Sequence, residues 1–401
     1  MTKRFSVCSH FIILASLLGL LLLNIGCVSS KQSVAGPPKP VLPEDNRSLV
    51  FAGFTISGVQ SDLDRNFKYT TKVSESQSKD GVGLIDKAVR EFFVDNRDAL
   101  RNELLFEDGK SQNYPQLSLS LTSESIAQDE IAGNYKLTMD FIFQILIIDF
   151  KSKEVMATYP FRIERSETKK ASDGSFTEDE IVDLTQKIYD GSEPIMYDLL
   201  KERLKDVRLS SRLGSNIRVY KVNFADRCKI DLPKDFLEEG EIPKAYVNLT
   251  AQKLALFTQA ELGVAVLPYA KDKANSEMAL KFSDQSVVNF NIPDATYGID
   301  LDVQGFKKVH DKAKSNTARD WWLYGSFIRI KVYDPDFGDE YYSIEVKPTK
   351  GKDLAGTWIT KNIKVDESAL FNVGLEKIML TGLLEMRNDK KAEEFISKSR
   401  N

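Results

Sequence analysis

Histidine and cysteine are nearly absent from this chain, with two His and three Cys in 401 residues. One of each falls within residues 1–26, a stretch read below as a removable leader, so the remainder carries only His310, Cys27 and Cys228. A lone histidine cannot build a multi-histidine metal centre and supplies a single candidate for a histidine-dependent triad. It follows Lys307, Lys308 and Val309 in a charged stretch and reads as a surface residue. An excess of positive charge is also missing: 55 Lys and Arg stand against 59 Asp and Glu, a net charge of -4. No broad phosphate-neutralising surface is implied, and nucleic acid is not an expected partner. Gly-x-Ser-x-Gly, the P-loop, Gly-x-Gly-x-x-Gly and His-Glu-x-x-His are all absent, so no motif points to an enzyme and no cofactor is expected. What remains is a composition that folds, with 42% hydrophobic and 10% aromatic residues.

The first 26 residues have the order of a secretory signal: Lys3 and Arg4, an apolar run over residues 11–23, then Asn24-Ile25-Gly26 before Cys27. At about 1.5 Å per residue that run covers about 20 Å, short of the roughly 30 Å hydrocarbon core, which weighs against a permanent span. The Leu-rich run ending in Gly26-Cys27 resembles the lipobox of bacterial lipoproteins, where the Cys is thioether-linked to diacylglycerol, becomes the new N-terminus and is acylated. Asn24 stands where that box usually has Leu, with Leu23 one residue further back, a looser form similar to those of spirochaetes. The competing reading is an ordinary secretory signal cut at a small residue nearby. Residues 27–48 carry Pro37, Pro38, Pro40 and Pro43 and read as a tether with a reach of roughly 60 Å. The resemblance implies a membrane contact through the N-terminal diacylglycerol and acyl chain at Cys27. No Asp follows the Cys, and outer-membrane residence is expected by analogy. Cleavage removes two positive charges and leaves 53 against 59, or -6.

Beyond the tether the chain reads as two halves, residues 49–208 and 216–388, followed by a charged tail at 389–401. Residues 49–58 form a strand, and 84–93 place Leu84, Ile85, Ala88, Val89, Phe92 and Phe93 at helical spacing. Residues 135–148 are the longest β signal and end in an apolar run that predicts a central strand buried on both faces. A turn and a return strand complete a hairpin, and Thr177-Glu-Asp-Glu180 is a capping box that opens a helix. Polar, small residues at 210–216 mark a boundary, after which strand, helix, hairpin and helix recur. At an offset of about 185, Ile145 falls on Ile330, Ile147 on Val332 and Asp149 on Asp334. The expected fold is α+β: two mostly antiparallel sheets, each covered by helices, related by internal duplication. Because residues 247–268 also suit strands, a β-sandwich is the alternative for the second half.

Few residues suggest chemistry. Asp334, Asp336, Asp339 and Glu340 crowd a Gly-containing turn, the kind of oxygen-rich loop that hard cations favour, although the spacing is not that of an EF-hand; a solvated hairpin turn is the simpler reading. Ser76/Lys79 and Ser166/Lys169 match Ser-x-x-Lys but lack the companion motifs of such a serine nucleophile. Trp321 and Trp322 open a strand, so alternation sends one to each face. One is expected in the core; the other, near Tyr324, would anchor a partner or a glycan unless a second covered face buries it. Cys228, between Arg227 and Lys229, is expected to be a buried, inert thiol. The order of elements behind a lipidated Cys resembles small α/β periplasmic lipoproteins that serve envelope machines, such as the curli secretion lipoprotein and the outer-membrane activators of peptidoglycan synthases. It implies a non-enzymatic, membrane-anchored binding or assembly module with an envelope protein as partner. A calcium-dependent glycan binder, an envelope hydrolase and a surface antigen are the other readings.

Overall fold

Each half of the chain begins with a strand that the following helices and strands wrap in the same order. In the first half, β1 (Leu49–Gly58) leads into α1 (Leu63–Asn66), α2 (Lys68–Glu75), α3 (Leu84–Asp95) and the short β2 (Leu104–Leu105). The meander β3 (Gln116–Ile131), β4 (Asn134–Asp149) and β5 (Glu154–Lys170) follows, then α4 (Glu178–Tyr189) and α5 (Ile195–Leu204). The second half has β6 (Ile217–Phe224), α6 (Asp226–Asp231), α7 (Lys244–Leu262), β7 (Val266–Leu267) and the hairpin β8 (Glu277–Phe282) with β9 (Val287–Asn291). It ends with β10 (Tyr297–Asp311), β11 (Arg319–Tyr333), β12 (Glu340–Val346), β13 (Ala355–Thr360), α8 (Glu367–Arg387) and α9 (Lys390–Arg400). This computed structural model describes residues 48–75, 83–106, 114–131, 133–207, 216–269, 276–348, 354–360 and 367–400. Cys27, the leader, most of the tether, all but the last residue of the 210–216 boundary and Ser76/Lys79 lie outside them.

The duplication is visible in the pairing. β1 runs parallel to β3, which pairs antiparallel with β4, and β4 antiparallel with β5. β6 likewise runs parallel to β10, then β10, β11 and β12 pair antiparallel in turn. Even the turns agree: Asp149 Oδ1 accepts the N–H groups of Lys151 and Ser152, and Asp334 Oδ1 those of Asp336 and Phe337. The α+β class stands, but the expected pair of separate sheets is corrected to one sheet of 13 strands. Strand alternation dictates which face is buried and says nothing about which edge finds a neighbour. Here β5 meets β7 at Thr158↔Val266, and the inserted β8–β9 hairpin crosses to β1 and touches β5 at Glu154↔Asn291. That last pair closes a ring of six strands, β5-β4-β3-β1-β8-β9.

The ring explains why the end of β4 is apolar throughout. Ile145 and Ile147 face the helices with Phe93, Ile188 and Leu200, while Leu146 and Ile148 face inward onto Leu280 and Phe290. One other expectation is corrected. Residues 244–262 form a helix stopped by left-handed Gly263, which removes the β-sandwich alternative. The charged tail is largely helical, and Ala392, Phe395, Ile396 and Ser399 occur at i, i+3, i+4 and i+7, so one stripe is buried beneath a charged exterior. α8 lies directly on β11: a Cβ at Gly374 would stand 2.9 Å from the Tyr324 carbonyl oxygen, so only glycine permits that approach.

Between the halves lies a network of four charges. Arg162 of β5 donates from Nε and Nη2 to the two carboxylate oxygens of Asp140 of β4, both at 2.7 Å, and from Nη1 to Glu376 of α8 at 2.8 Å. Lys253 of α7, only 1% exposed, donates to Glu376 at 2.6 Å and lies 3.4 Å from Asp140. Two cations thus alternate with two carboxylates, two residues from each half, and neighbouring carboxylates hold the Arg162 pKa above its ordinary value against the opposing effect of its burial. Removing one partner strands the others in a poorly solvated site. Lys253→Met is therefore expected to lower the unfolding free energy by about 3–5 kcal/mol in urea titrations. Lys331→Met, on the solvated sheet face, is expected to change it by less than about 0.5 kcal/mol.

Candidate docking site

The site is built on the free end of the β10–β11 hairpin. These strands pair from Gly298↔Tyr333 to Asp311↔Trp321, whereas β6 accompanies β10 only from Tyr297 to Val303. Beyond that point the hairpin is flanked by α6, where Asp231 accepts the Phe306 N–H, and by β13, paired with Arg319–Tyr324. Asp311 shapes the turn by accepting the N–H groups of Ala313 and Lys314 on its side chain. The Ser315 hydroxyl bonds the Asp311 carbonyl, accepts the Trp321 N–H, and lies 2.9 Å from His310 Nε2, which is 3.2 Å from Asp320.

Alternation sends the two adjacent tryptophans to opposite faces. Trp322 shares the helix-covered face with Tyr324 and packs against the second-half core. Its ring stacks on His310 at 4.5 Å, and Lys308 Nζ lies 4.3 Å from the ring centre. Trp321, not the residue sharing a face with Tyr324, points to the other side. There it meets its cross-strand partner Trp358 edge-on at 5.0 Å, with Lys314 Nζ 5.3 Å from its ring. Trp358 is 44% exposed. All three tryptophans of the chain therefore gather at one end of the sheet. Further along, Trp321's side of the sheet carries a polar ladder in which Asn223 donates to Asp302 at 2.8 Å and Tyr333 to Asp300 at 3.1 Å. That side is partly covered as well, since Tyr333 packs on the apolar cluster around Tyr220 and Leu354 and Pro348 lie over Gly325.

Charge gathers there as well. Residues 305–324 carry Lys307, Lys308, Lys312, Lys314 and Arg319 against Asp311 and Asp320, five cations to two anions in a chain that is negative overall. Lys307, Lys312, Lys314 and Arg319 are exposed. Sequence reasoning missed Trp358 and the lysines. The uncharged Ala355-Gly-Thr-Trp-Ile-Thr360 is too short to announce its partner strand, and the lysines reach the aromatic rings only through strand pairing.

The other sequence candidates are employed inside the fold. Asp334 accepts the Asp336 and Phe337 N–H groups on Oδ1 and the Tyr341 hydroxyl on Oδ2, and Gly338 takes φ +76° to close the turn. Asp336 and Asp339 belong to this turn, and among the described residues no group of three His, Cys, Asp or Glu is disposed to hold a metal ion. Ser166 and Lys169 lie on β5, Lys169 bonding Glu180. Cys228 is fully buried, donates to the Val303 carbonyl at 3.2 Å, and has its pKa pushed up to about 12 by burial.

No family model and no curated protein matches the chain. Solved structures align in part, among them the following three. A neuraminyllactose-binding hemagglutinin homolog from Helicobacter pylori is 15% identical with a TM-score of 0.27, over 46% of this chain and 89% of that one. A minor lipoprotein from Acinetobacter baumannii is 10% identical with a TM-score of 0.22, over 41% and 93%. The rare lipoprotein B of Shewanella oneidensis is 17% identical with a TM-score of 0.20, over 32% and 93%. Superposition at that level identifies no shared activity.

Two outcomes are expected. Asp334→Ala should destabilise the protein by about 1 kcal/mol through the lost turn bonds. Asp336→Ala with Asp339→Ala should have little effect, and calcium should leave the melting temperature of the unaltered protein unchanged; a rise that replacing Asp334, Asp336 and Asp339 together abolishes would restore the cation reading. Cys228 should resist alkylation in the native protein and react promptly once urea unfolds it, a contrast that mass spectrometry reads directly.

Proposed function

We propose that this chain is a lipid-anchored envelope lipoprotein that acts as a non-enzymatic docking module, held by Cys27 and presenting the aromatic end of the β10–β11 hairpin. The observation that carries the reading is the leader ending in Gly26-Cys27 followed by a Pro-rich tether, because that order delivers a folded domain to a membrane and leaves it free to turn. The hairpin end adds a surface suited to contact. Tryptophan offers large area at small entropic cost, and the surrounding lysines steer an anionic partner. An outer-membrane address and an envelope protein partner belong to the same proposal. The calcium-dependent reading has no comparable support, since the Asp334 carboxylate is committed to its own turn.

Mass spectrometry of the mature N-terminus tests the anchor. The expected product begins at Cys27 and carries diacylglycerol and an acyl chain, and Cys27→Ser should abolish both lipid incorporation and cleavage at that site. A mature protein beginning at another small residue with no lipid would contradict the reading.

A further inference from the structure

The aromatic end of the hairpin has features of an interfacial membrane contact. Trp321 and Trp358 form a cross-strand pair on the face not covered by helices, and Trp358 is 44% exposed. Lys314 reaches over Trp321, and Lys312 and Arg319 stand exposed on the same turn. Tryptophan with flanking lysines is the combination that settles at headgroup depth, the indole rings in the interface and the ammonium groups against phosphate. The partner's sign follows from the exposed cations Lys307, Lys312, Lys314 and Arg319 beside Asp311 and Asp320, Lys308 being paired with Glu367 on the other face, in a chain of net charge -4. A protein acidic elsewhere is repelled by an anionic bilayer except at such a patch.

We infer that this end docks onto an anionic lipid surface, giving the anchored domain a second membrane contact formed by Trp358, Lys312, Lys314 and Arg319, with half-buried Trp321 backing the Trp358 ring. The inference rests on the anchored-lipoprotein reading, which supplies the membrane. A tether with a reach of roughly 60 Å lets the domain turn this end toward the bilayer. Docking then fixes the face presented to other envelope components, a result that the tether alone does not achieve.

Because every tryptophan of the chain lies at this end, intrinsic fluorescence reports on it without a label. The lipidated full chain would be reconstituted into phosphatidylcholine vesicles and into phosphatidylcholine–phosphatidylglycerol vesicles, each with and without lipid brominated near the headgroup. The expected result is a blue shift and bromine quenching in the anionic vesicles, weak in the neutral ones and reversed by salt. Lys312→Gln and Lys314→Gln should each lower the docked-to-free ratio about fivefold, with unchanged circular dichroism. Protein that floats with both kinds of vesicle yet shows no quenching in either overturns the inference and leaves the anchor intact. Failure to float with any vesicle overturns the anchored reading and the docking together. A fluorescence change with a soluble anionic polysaccharide, but none with anionic vesicles, also overturns it, in favour of a glycan site.

Discussion

The halves of this protein meet across an apolar cluster, where Leu146, Ile148 and Val155 pack with Leu267, Leu280 and Phe290, and across four charges with little access to water. Direct strand pairing between the core meanders is slight, since β5 touches β7 only at Thr158↔Val266. Yet α7 lies in the joint and sets Lys253 against Glu376 and Asp140, with Arg162 completing the circuit. Desolvating these groups costs free energy that their mutual attraction only partly repays, so the network is a poor source of net stability. Another docking of the halves would keep the Arg162–Asp140 and Lys253–Glu376 pairs but lose the two contacts that cross between them, Arg162–Glu376 at 2.8 Å and Lys253–Asp140 at 3.4 Å. The inserted β8–β9 hairpin adds a second restraint by crossing to β1.

Duplication also shows where the copies have diverged. The β10–β11 turn corresponds to the β3–β4 turn of the first half, which closes tightly at Ile131↔Asn134. Residues 123–138 carry Glu124, Asp129 and Glu130 against Lys136, the opposite balance to the lysine-rich hairpin end. Glu124 is occupied within the fold, accepting the Tyr69 and Thr70 N–H groups at 2.8 Å each and so satisfying the start of α2. In the second copy the turn is longer and the tryptophans and lysines collect around it. One copy uses this region to hold a helix; the other presents it outward.

Much of this was legible from residue patterns because it is local. The Thr177–Glu180 capping box forms with both reciprocal bonds, the central position of β4 follows from its apolar end, and the turns at Asp149 and Asp334 match. Features depending on long-range pairing were not legible. Periodicity cannot tell that β8–β9 crosses to the other half, or that Lys253 would find Glu376 across 123 residues. The helical tail was obscured because its apolar stripe is only a few residues wide among lysines and glutamates. At the docking end the Trp321-Trp322 pair is visible in the sequence, but which ring faces the core is not, because the identity of the covered face depends on where α8 packs. Trp358 became part of the site only through its pairing opposite Trp321.

The most direct test of an anchored module working through this end is photo-crosslinking in intact cells from a light-activated residue placed at position 358. A matched probe at position 343, on the same edge of β11 but away from the tryptophans, serves as the control. The account predicts phospholipid adducts from position 358 that exceed those from position 343 and disappear with Cys27→Ser. Equal labelling from both positions, or adducts that persist without Cys27, would contradict it.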